Sequence, residues 1–315
     1  MMPDTNIRRV AVVGTGVIGA SWAAYFLAQG LKVRATDPAP GACERLTEAV
    51  LRHWPTLVKS GLSEGASLDN LSFHDTLEAA LAGVQFVQEN GPERADLKLA
   101  LFERMDAALE PEVIIASSSS GLLMSDVQAA CRHPERVVLG HPFNPPHLIP
   151  LVEVIGGKRT SPETIQRTLD FYRAIGKRPI NPKKEVKGHI ANRLQAALWR
   201  EAFHLVSIGA ASVSDIDDAI AYGPGLRWAV MGPFANLHLS GGEGGMRHLL
   251  EHLGGPIENW WGDLGTPALT PELKQQVIDG IDAELMNRSD AQITVERDDL
   301  ILAMLRAKAA ASSIP

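Results

Sequence analysis

The 315-residue chain is poor in cysteine, carries no excess of positive charge and lacks long apolar runs. Its two cysteines, Cys43 and Cys131, lie far apart and match no metal-ligand spacing. That excludes a disulfide framework, points to a reducing compartment such as the cytoplasm, and leaves no metal site to expect. Thirty Lys and Arg stand against 37 Asp and Glu, a formal net charge of −7. Proteins that live on nucleic acid or anionic membrane need clustered cations, so neither is expected as a partner. No stretch approaches the ~18 continuous apolar residues of a membrane helix. The opening residues up to Arg9 lack the apolar core of a secretion signal. There is no internal repeat and no long low-complexity linker. What is present is a 45 % hydrophobic, 21 % charged composition, that of a globular chain with a sizeable core. The length suits two domains of ~150 residues.

Residues 9–13 form an unbroken apolar run after Arg9, expected to be a buried strand, and Gly14, Gly16 and Gly19 follow in the spacing G-x-G-x-x-G. A helix carrying Trp22, Ala23, Phe26 and Leu27 ends at Gly30, and a second strand, 32–36, delivers Asp37. In such a unit the first glycine permits the tight turn, the second lets backbone approach a pyrophosphate, and the third lets helix pack on strand. The helix N-terminus, entered through Val17 and Ile18, offers free N–H groups and a positive dipole end. Asp37, 18 positions after Gly19, accepts hydrogen bonds from a free ribose 2′-hydroxyl and repels a 2′-phosphate. Pro38, Ala39 and Pro40 supply no Arg for that phosphate, so NAD is expected over NADP; Arg34 is the one nearby cation within reach of the adenine side.

Further on, residues 41–60 have helical periodicity with Pro55 expected to bend or end the helix. Strands are expected at 83–89, 113–116, 137–140 and 151–155, with a helix at 93–109 between the first two. Strands alternating with helices imply an α/β Rossmann-type, doubly wound and mostly parallel sheet. After Lys187 the pattern is all helical: 190–208, a helix begun at Ser214 with Asp217 as its capping partner, one begun at Thr270, and a last at 293–309. The expected organisation is a nucleotide domain, 1–186, and an all-α domain, 187–315, that closes the substrate cleft and forms a homodimer.

His141, in Gly140-His141-Pro142-Phe143-Asn144-Pro145, ends a strand at the sheet's carboxyl edge, where ligands of this architecture bind. Glu153 lies within the apolar run Leu151-Val152-Glu153-Val154 and needs a partner there; an imidazole on the neighbouring strand end suits it. Taken singly, each of these residues has a plainer role as a cap or core group, and only their joint occurrence with the glycine loop points to chemistry.

With these segments, and with Glu89-Asn90-Gly91-Pro92-Glu93, Ala116-Ser117-Ser118-Ser119-Ser120, Ile190-Ala191-Asn192-Arg193-Leu194 and Met231-Gly232-Pro233-Phe234 in order, the chain resembles the 3-hydroxyacyl-CoA dehydrogenase superfamily over essentially its whole length. The resemblance implies that His141 is the general base, oriented by Glu153. It also implies that Ser120 and Asn192 bind the substrate hydroxyl, and that Glu93, Lys98 and Asn144 lie near the nicotinamide ribose and ring. Ser118 stands where the family commonly has Asn. His147, His189, His204 and the later histidines are expected to be structural.

Acyl-CoA carries several phosphates, yet residues 41–70 hold three cations (Arg45, Arg52, Lys59) against four carboxylates, a balance of −1. No CoA cradle is evident there. Arg227 is suited to a small substrate's carboxylate. Within the superfamily the chain looks most like the branch that oxidises L-carnitine, and next like the L-gulonate branch that includes lambda-crystallin. A small 3-hydroxy acid is therefore the expected substrate. A quaternary ammonium would call for aromatic faces, and Phe143, Trp199, Trp228 and Phe234 are the candidates. Trp260-Trp261 lies in a Gly/Pro-rich stretch that suits a cleft cover or a dimer contact.

Overall fold

The computed structural model describes residues 6–286 and 288–314. The chain divides into two compact units, Met1–Arg193 and Leu194–Pro315. In the first, β1 (Arg9–Val13), α1 (Val17–Ala28), β2 (Lys32–Thr36), α2 (Ala42–Ser60), β3 (Leu71–Phe73), α3 (Leu77–Leu81) and β4 (Phe86–Glu89) are followed by α4 (Ala95–Ala108) and β5 (Ile114–Ser117). Then come α5 (Met124–Val127), β6 (Val137–Pro142), β7 (Leu151–Gly156), α6 (Pro162–Ala174) and β8 (Arg178–Ile180). The eight strands form one sheet in the order β3-β2-β1-β4-β5-β6-β7-β8. Strands β1 to β6 pair in parallel, β7 runs antiparallel to β6, and β8 follows β7 in parallel.

The sheet is covered on both faces, which is why β1 is apolar at every position after Arg9 rather than at alternate ones. Val10 and Val12 pack with Trp22, Phe26 and Leu27 of α1 and with Phe171 and Tyr172 of α6. Ala11 and Val13 face the other way, toward Phe102 and Met105 of α4. The Trp22 and Phe26 rings stack at 5.0 Å, and burying each such side chain contributes about 2–3 kcal/mol. β2 and β4 leave β1 in opposite directions across the sheet, so the crevice where ligands of doubly wound sheets bind opens at the carboxyl ends of β1 and β4.

Several expected boundaries shift for local reasons. β3 and β8, three residues each, are too short to show a period. Pro55 lies inside α2, which continues to Ser60; the residue four before it, Leu51, is on the solvent side, where a lost backbone bond is cheapest. α4 starts at Ala95 rather than at Glu93, whose carboxylate instead serves the loop after β5. β6 extends beyond Gly140 to Pro142, so His141 sits within the ladder rather than after it.

Beyond β8 the described residues contain no strand. α7 (Ala191–Ser207) is followed by α8 (Val213–Ala221), α9 (Pro224–Val230), α10 (Pro233–Ser240), α11 (Gly245–Asp263), α12 (Pro271–Glu284) and α13 (Asp290–Ala310). The cap of α8 lies two residues before the expected one: its capping box is Ser212 with Asp215, not Ser214 with Asp217, because Ser212 is the residue with extended backbone ahead of the helix. Thr270 caps α12 as its position before Pro271 implies. Trp260 and Trp261 lie in the last turn of α11, and both are exposed. Among the described residues no helix is long and apolar enough to cross a membrane.

Candidate active site

The glycine loop has the shape its spacing requires. Gly14 has φ +85°, and a Cβ there would lie 2.8 Å from the Asn90 carbonyl group. A Cβ on Gly19 would fall 1.9 Å from the Gly14 carbonyl oxygen, so α1 and β1 approach too closely for any side chain. Gly16 differs: a Cβ there would meet nothing within 4 Å. The space over Gly16, at the N-terminus of a 12-residue helix with no side-chain cap, fits a pyrophosphate lying on backbone N–H groups. Val17 beside it is exposed, and Ile18 is half-buried against the core.

Asp37 closes this loop from the end of β2. Its Oδ2 accepts from the Thr15 N–H at 2.7 Å and the Thr15 hydroxyl at 3.3 Å, and its Oδ1 accepts from the Ala39 N–H at 2.9 Å. The carboxylate is thus held at the edge of the crevice. Arg34 is turned away: its guanidinium donates to the Ala79 and Ala80 carbonyls at 2.6 and 3.1 Å, leaving α3 rather than an adenine as its partner.

At the next strand ends the ladder sets the chemistry. In the antiparallel β6–β7 pair His141 is directly opposite Glu153, so their side chains share a face. Val152 and Val154 point into the opposite core, which resolves how a carboxylate fits inside an apolar strand. His141 Nδ1 lies 2.9 Å from Glu153 Oε2, and both residues are buried. Glu153 Oε1 accepts from the Ile190 and Ala191 N–H groups at 2.8 and 3.1 Å. Burial works against ionising Glu153, but His141 and these two N–H groups outweigh it and hold the carboxyl below its usual range. On the other side of the ring, His141 Nε2 lies 3.3 Å from Ser120 Oγ. An ionised Glu153 only accepts, so the imidazole proton belongs on Nδ1, and Nε2 is left as a base beside a hydroxyl.

The surrounding groups are braced. Glu93 accepts from Ser119 Oγ at 2.6 Å and from the Gly121 and Leu122 N–H groups at 2.8 and 3.1 Å. Burial raises its pKa; these donors and the nearby Lys98 charge reverse that and lower it. Lys98 is buried, with its ammonium 2.9 Å from both oxygens of Glu89 and 3.2 Å from the Gly91 carbonyl. In this structure its charge ties α4 to the end of β4 rather than standing open in the crevice. Ser118, in the family's Asn position, accepts from Gln88 Nε2 and donates to Asn90 Oδ1 at 2.8 and 2.7 Å. Gln88 in turn accepts from the Tyr172 hydroxyl at 2.6 Å. Lys177 pins the β6–β7 connection through the Pro146 and Ile149 carbonyls, with its ammonium over the Tyr25 ring.

Phe143 meets His141 edge to face at 5.3 Å. Asn144, the next residue, is exposed. Asn192 follows Ala191 in the first turn of α7 and is half-buried, without a described hydrogen bond to His141 or Ser120. His189 departs from expectation: its ring lies 5.1 Å from that of His141, and its Nε2 lies 3.1 Å from the Ser119 carbonyl. Nothing in the local pattern marks it, since a histidine before an apolar helix start has no period or spacing of its own. Gln88 is likewise hidden in a strand.

The remaining candidates belong to the second unit. Arg227 and Trp228 lie in α9, Phe234 in α10 and Trp199 on α7, all four exposed. Among the described residues none pairs with the Arg227 guanidinium.

Comparison with known proteins agrees with this geometry. Residues 9–186 match the model of the 3-hydroxyacyl-CoA dehydrogenase NAD-binding domain, and residues 188–264 match that of the C-terminal domain. The chain is 52 % identical to an L-carnitine dehydrogenase of Streptomyces coelicolor, covering 98 % of this chain and 96 % of that one. It is 48 % identical to the L-carnitine dehydrogenase of Bacillus cereus, over 97 % and 94 % of the two chains. Among solved structures it resembles 5-formyl-3-hydroxy-2-methylpyridine 4-carboxylic acid 5-dehydrogenase, an NAD+-dependent dismutase, with TM-score 0.83 and 31 % identity over 96 % of this chain and 99 % of that one. The 3-hydroxybutyryl-CoA dehydrogenase of Escherichia coli follows with TM-score 0.63 and 27 % identity, over 75 % of this chain and 50 % of that one. The chain is therefore a member of the 3-hydroxyacyl-CoA dehydrogenase family, an NAD-dependent oxidoreductase built on a Rossmann-type sheet with a helical C-terminal domain.

Proposed function

We propose that this enzyme oxidises the 3-hydroxyl of L-carnitine to 3-dehydrocarnitine. The observation that carries the chemistry is the line Glu153–His141–Ser120 at the sheet's carboxyl edge, with contacts of 2.9 and 3.3 Å. The substrate assignment is supported by full-length relatives named L-carnitine dehydrogenase at 48–52 % identity.

His141 Nε2 takes the hydroxyl proton as the C3–H bond gives up its hydride, so the alcohol loses one proton and two electrons with the second hydrogen. Glu153 keeps the proton of the imidazole on Nδ1 and stabilises the imidazolium formed. Ser120 and Asn192 hold the substrate oxygen in line with Nε2. NAD supplies the hydride acceptor when bound. Gly14, Gly16, Val17, Ile18 and Gly19 would hold its pyrophosphate, Asp37 its adenosine ribose, and Glu93 and Asn144 the nicotinamide side. In this assignment Lys98 acts from beneath, by fixing Glu89 and Gly91. Arg227 takes the substrate carboxylate, and Phe143, Trp199, Trp228 and Phe234 offer ring faces to the trimethylammonium. The division of labour follows the chain, with residues 1–186 for NAD and 187–315 for substrate and for pairing into a homodimer.

The test is NADH formation with carnitine, gulonate, 3-hydroxybutyrate and 3-hydroxybutyryl-CoA compared side by side. Carnitine is expected to give the highest kcat/KM; a preference for the CoA ester or for gulonate overturns the substrate. His141→Gln is expected to lower turnover at least ~10²-fold while NADH still binds, and loss of NADH binding instead overturns the base assignment.

A further inference from the structure

His189 occupies an unusual position. It is the one non-glycine residue among those described with a positive φ, at +51°. It is also 2 % exposed, and its buried Nδ1 has no hydrogen-bond partner among the described residues. A left-handed backbone costs a histidine free energy, and so does burying a bare imidazole nitrogen, so the surrounding structure must hold both in place.

What it holds is visible on both sides. The Ser119 carbonyl can only accept, so His189 Nε2 carries the proton of that 3.1 Å contact and the ring is the neutral Nε2–H tautomer. Ser119 immediately precedes Ser120, whose hydroxyl faces His141. On the other side, the turn made by His189 directs the next two N–H groups, of Ile190 and Ala191, onto Glu153. The segment leading in is stitched to the same sheet edge. Asn181 Nδ2 donates to the Val154 carbonyl at 2.8 Å, and Glu185 accepts from the backbone N–H and hydroxyl of Ser125. The groups facing the ring are His141, Glu153 and Glu93. Burial disfavours the His189 imidazolium, as does the His141 charge, against the opposing pull of the Ser119 carbonyl and the two carboxylates; the net shift is downward. His189 therefore stays neutral while its neighbour accepts a proton.

We propose that His189 is the positioning residue of this site: its Nε2–H to Ser119 and its left-handed turn together set Ser120 and Glu153 on opposite sides of His141. The proposal rests on His141 acting as the base, and its test separates the two claims.

Ring-nitrogen NMR of the free, full-length enzyme needs no substrate. His189 is expected as the neutral Nε2–H tautomer at neutral pH; an Nδ1–H tautomer overturns the proposal even if His141 is the base. The second arm compares two variants. His189→Asn tolerates the left-handed backbone, but its amide is too short to reach Ser119; His189→Gln places an amide N–H where Nε2 was. The Asn variant is expected to lose ~10- to 100-fold in kcat through misplacement of the reacting groups. Its NADH affinity should be unchanged, and so should the acid limb of its kcat/KM–pH profile, because the left-handed turn that aims the Ile190 and Ala191 N–H groups at Glu153 is kept. The Gln variant is expected to recover most of the lost turnover. An Asn variant with lowered Tm but wild-type kcat, or a Gln variant no better than Asn, overturns the proposal. Failure of His141→Gln to lower turnover strikes the base assignment instead and leaves the tautomer result standing.

Discussion

Asp37 shows how much one side chain decides. It holds three hydrogen bonds from Thr15 and Ala39 while remaining at the crevice edge, so it shapes the loop and, in the proposed assignment, takes the cofactor ribose. Asp37→Ala is expected to weaken NAD selectively and narrow the preference over NADP, read as the ratio of kcat/KM for the two cofactors; an unchanged ratio removes the ribose contact. Arg227 is tested by substrate chemistry. Arg227→Met should raise KM for a carboxylate substrate far more than for its amide, whereas equal effects on both sink the anchor. At this scale the sequence displayed His141, Glu153 and Ser120 clearly, because their neighbours form extended motifs. His189 escaped it because its role depends on a backbone angle and on a contact 70 positions away, to Ser119.

Elements were legible where they are long and periodic and obscure where they are short. β1, α1, β2 and the later strands emerge from apolar runs, whereas β3 and β8 owe their extension to a neighbouring ladder. A tight inter-element constraint lies just before His141. A Cβ on Gly140 would sit 2.2 Å from the Tyr172 hydroxyl and 3.2 Å from the Ala116 Cβ. Tyr172 cannot yield easily, since it is fully buried and donates to Gln88. Gly140→Ala is therefore expected to cost about 1–3 kcal/mol of stability by overpacking, measurable by urea unfolding. It should also lower kcat, because β6 must shift beneath His141. A variant with wild-type stability shows that α6 can move aside.

For the molecule as a whole, the hydrogen-bonded carboxylates predict sensitivity to acid. Asp106 is the plainest case. Burial pushes its pKa up, but the Arg136 guanidinium and the Arg132 and His133 N–H groups more than reverse this and hold it low. Arg136 also covers the Leu109 carbonyl at the end of α4. Glu93 and Glu153 are held low in the same manner. A carboxylate depressed in the folded state stabilises fully above its unfolded pKa, and that contribution is lost as pH falls through the folded value. Stability should thus decline steadily below about pH 4, the unfolded carboxylate range, and the Arg136→Met variant should be destabilised at neutral pH as well. A Tm independent of pH on the acid side contradicts this account. The one antiparallel pairing in the sheet has a different kind of consequence. Because His141 and Glu153 meet across a ladder, their alignment is inherited from strand register, and a one-residue slip would send Glu153 to the wrong face. The connection between the two strands, residues 143–150, is under no such obligation. A substitution there, at Phe143 for instance, can reshape what surrounds His141 without taking it out of line with Glu153.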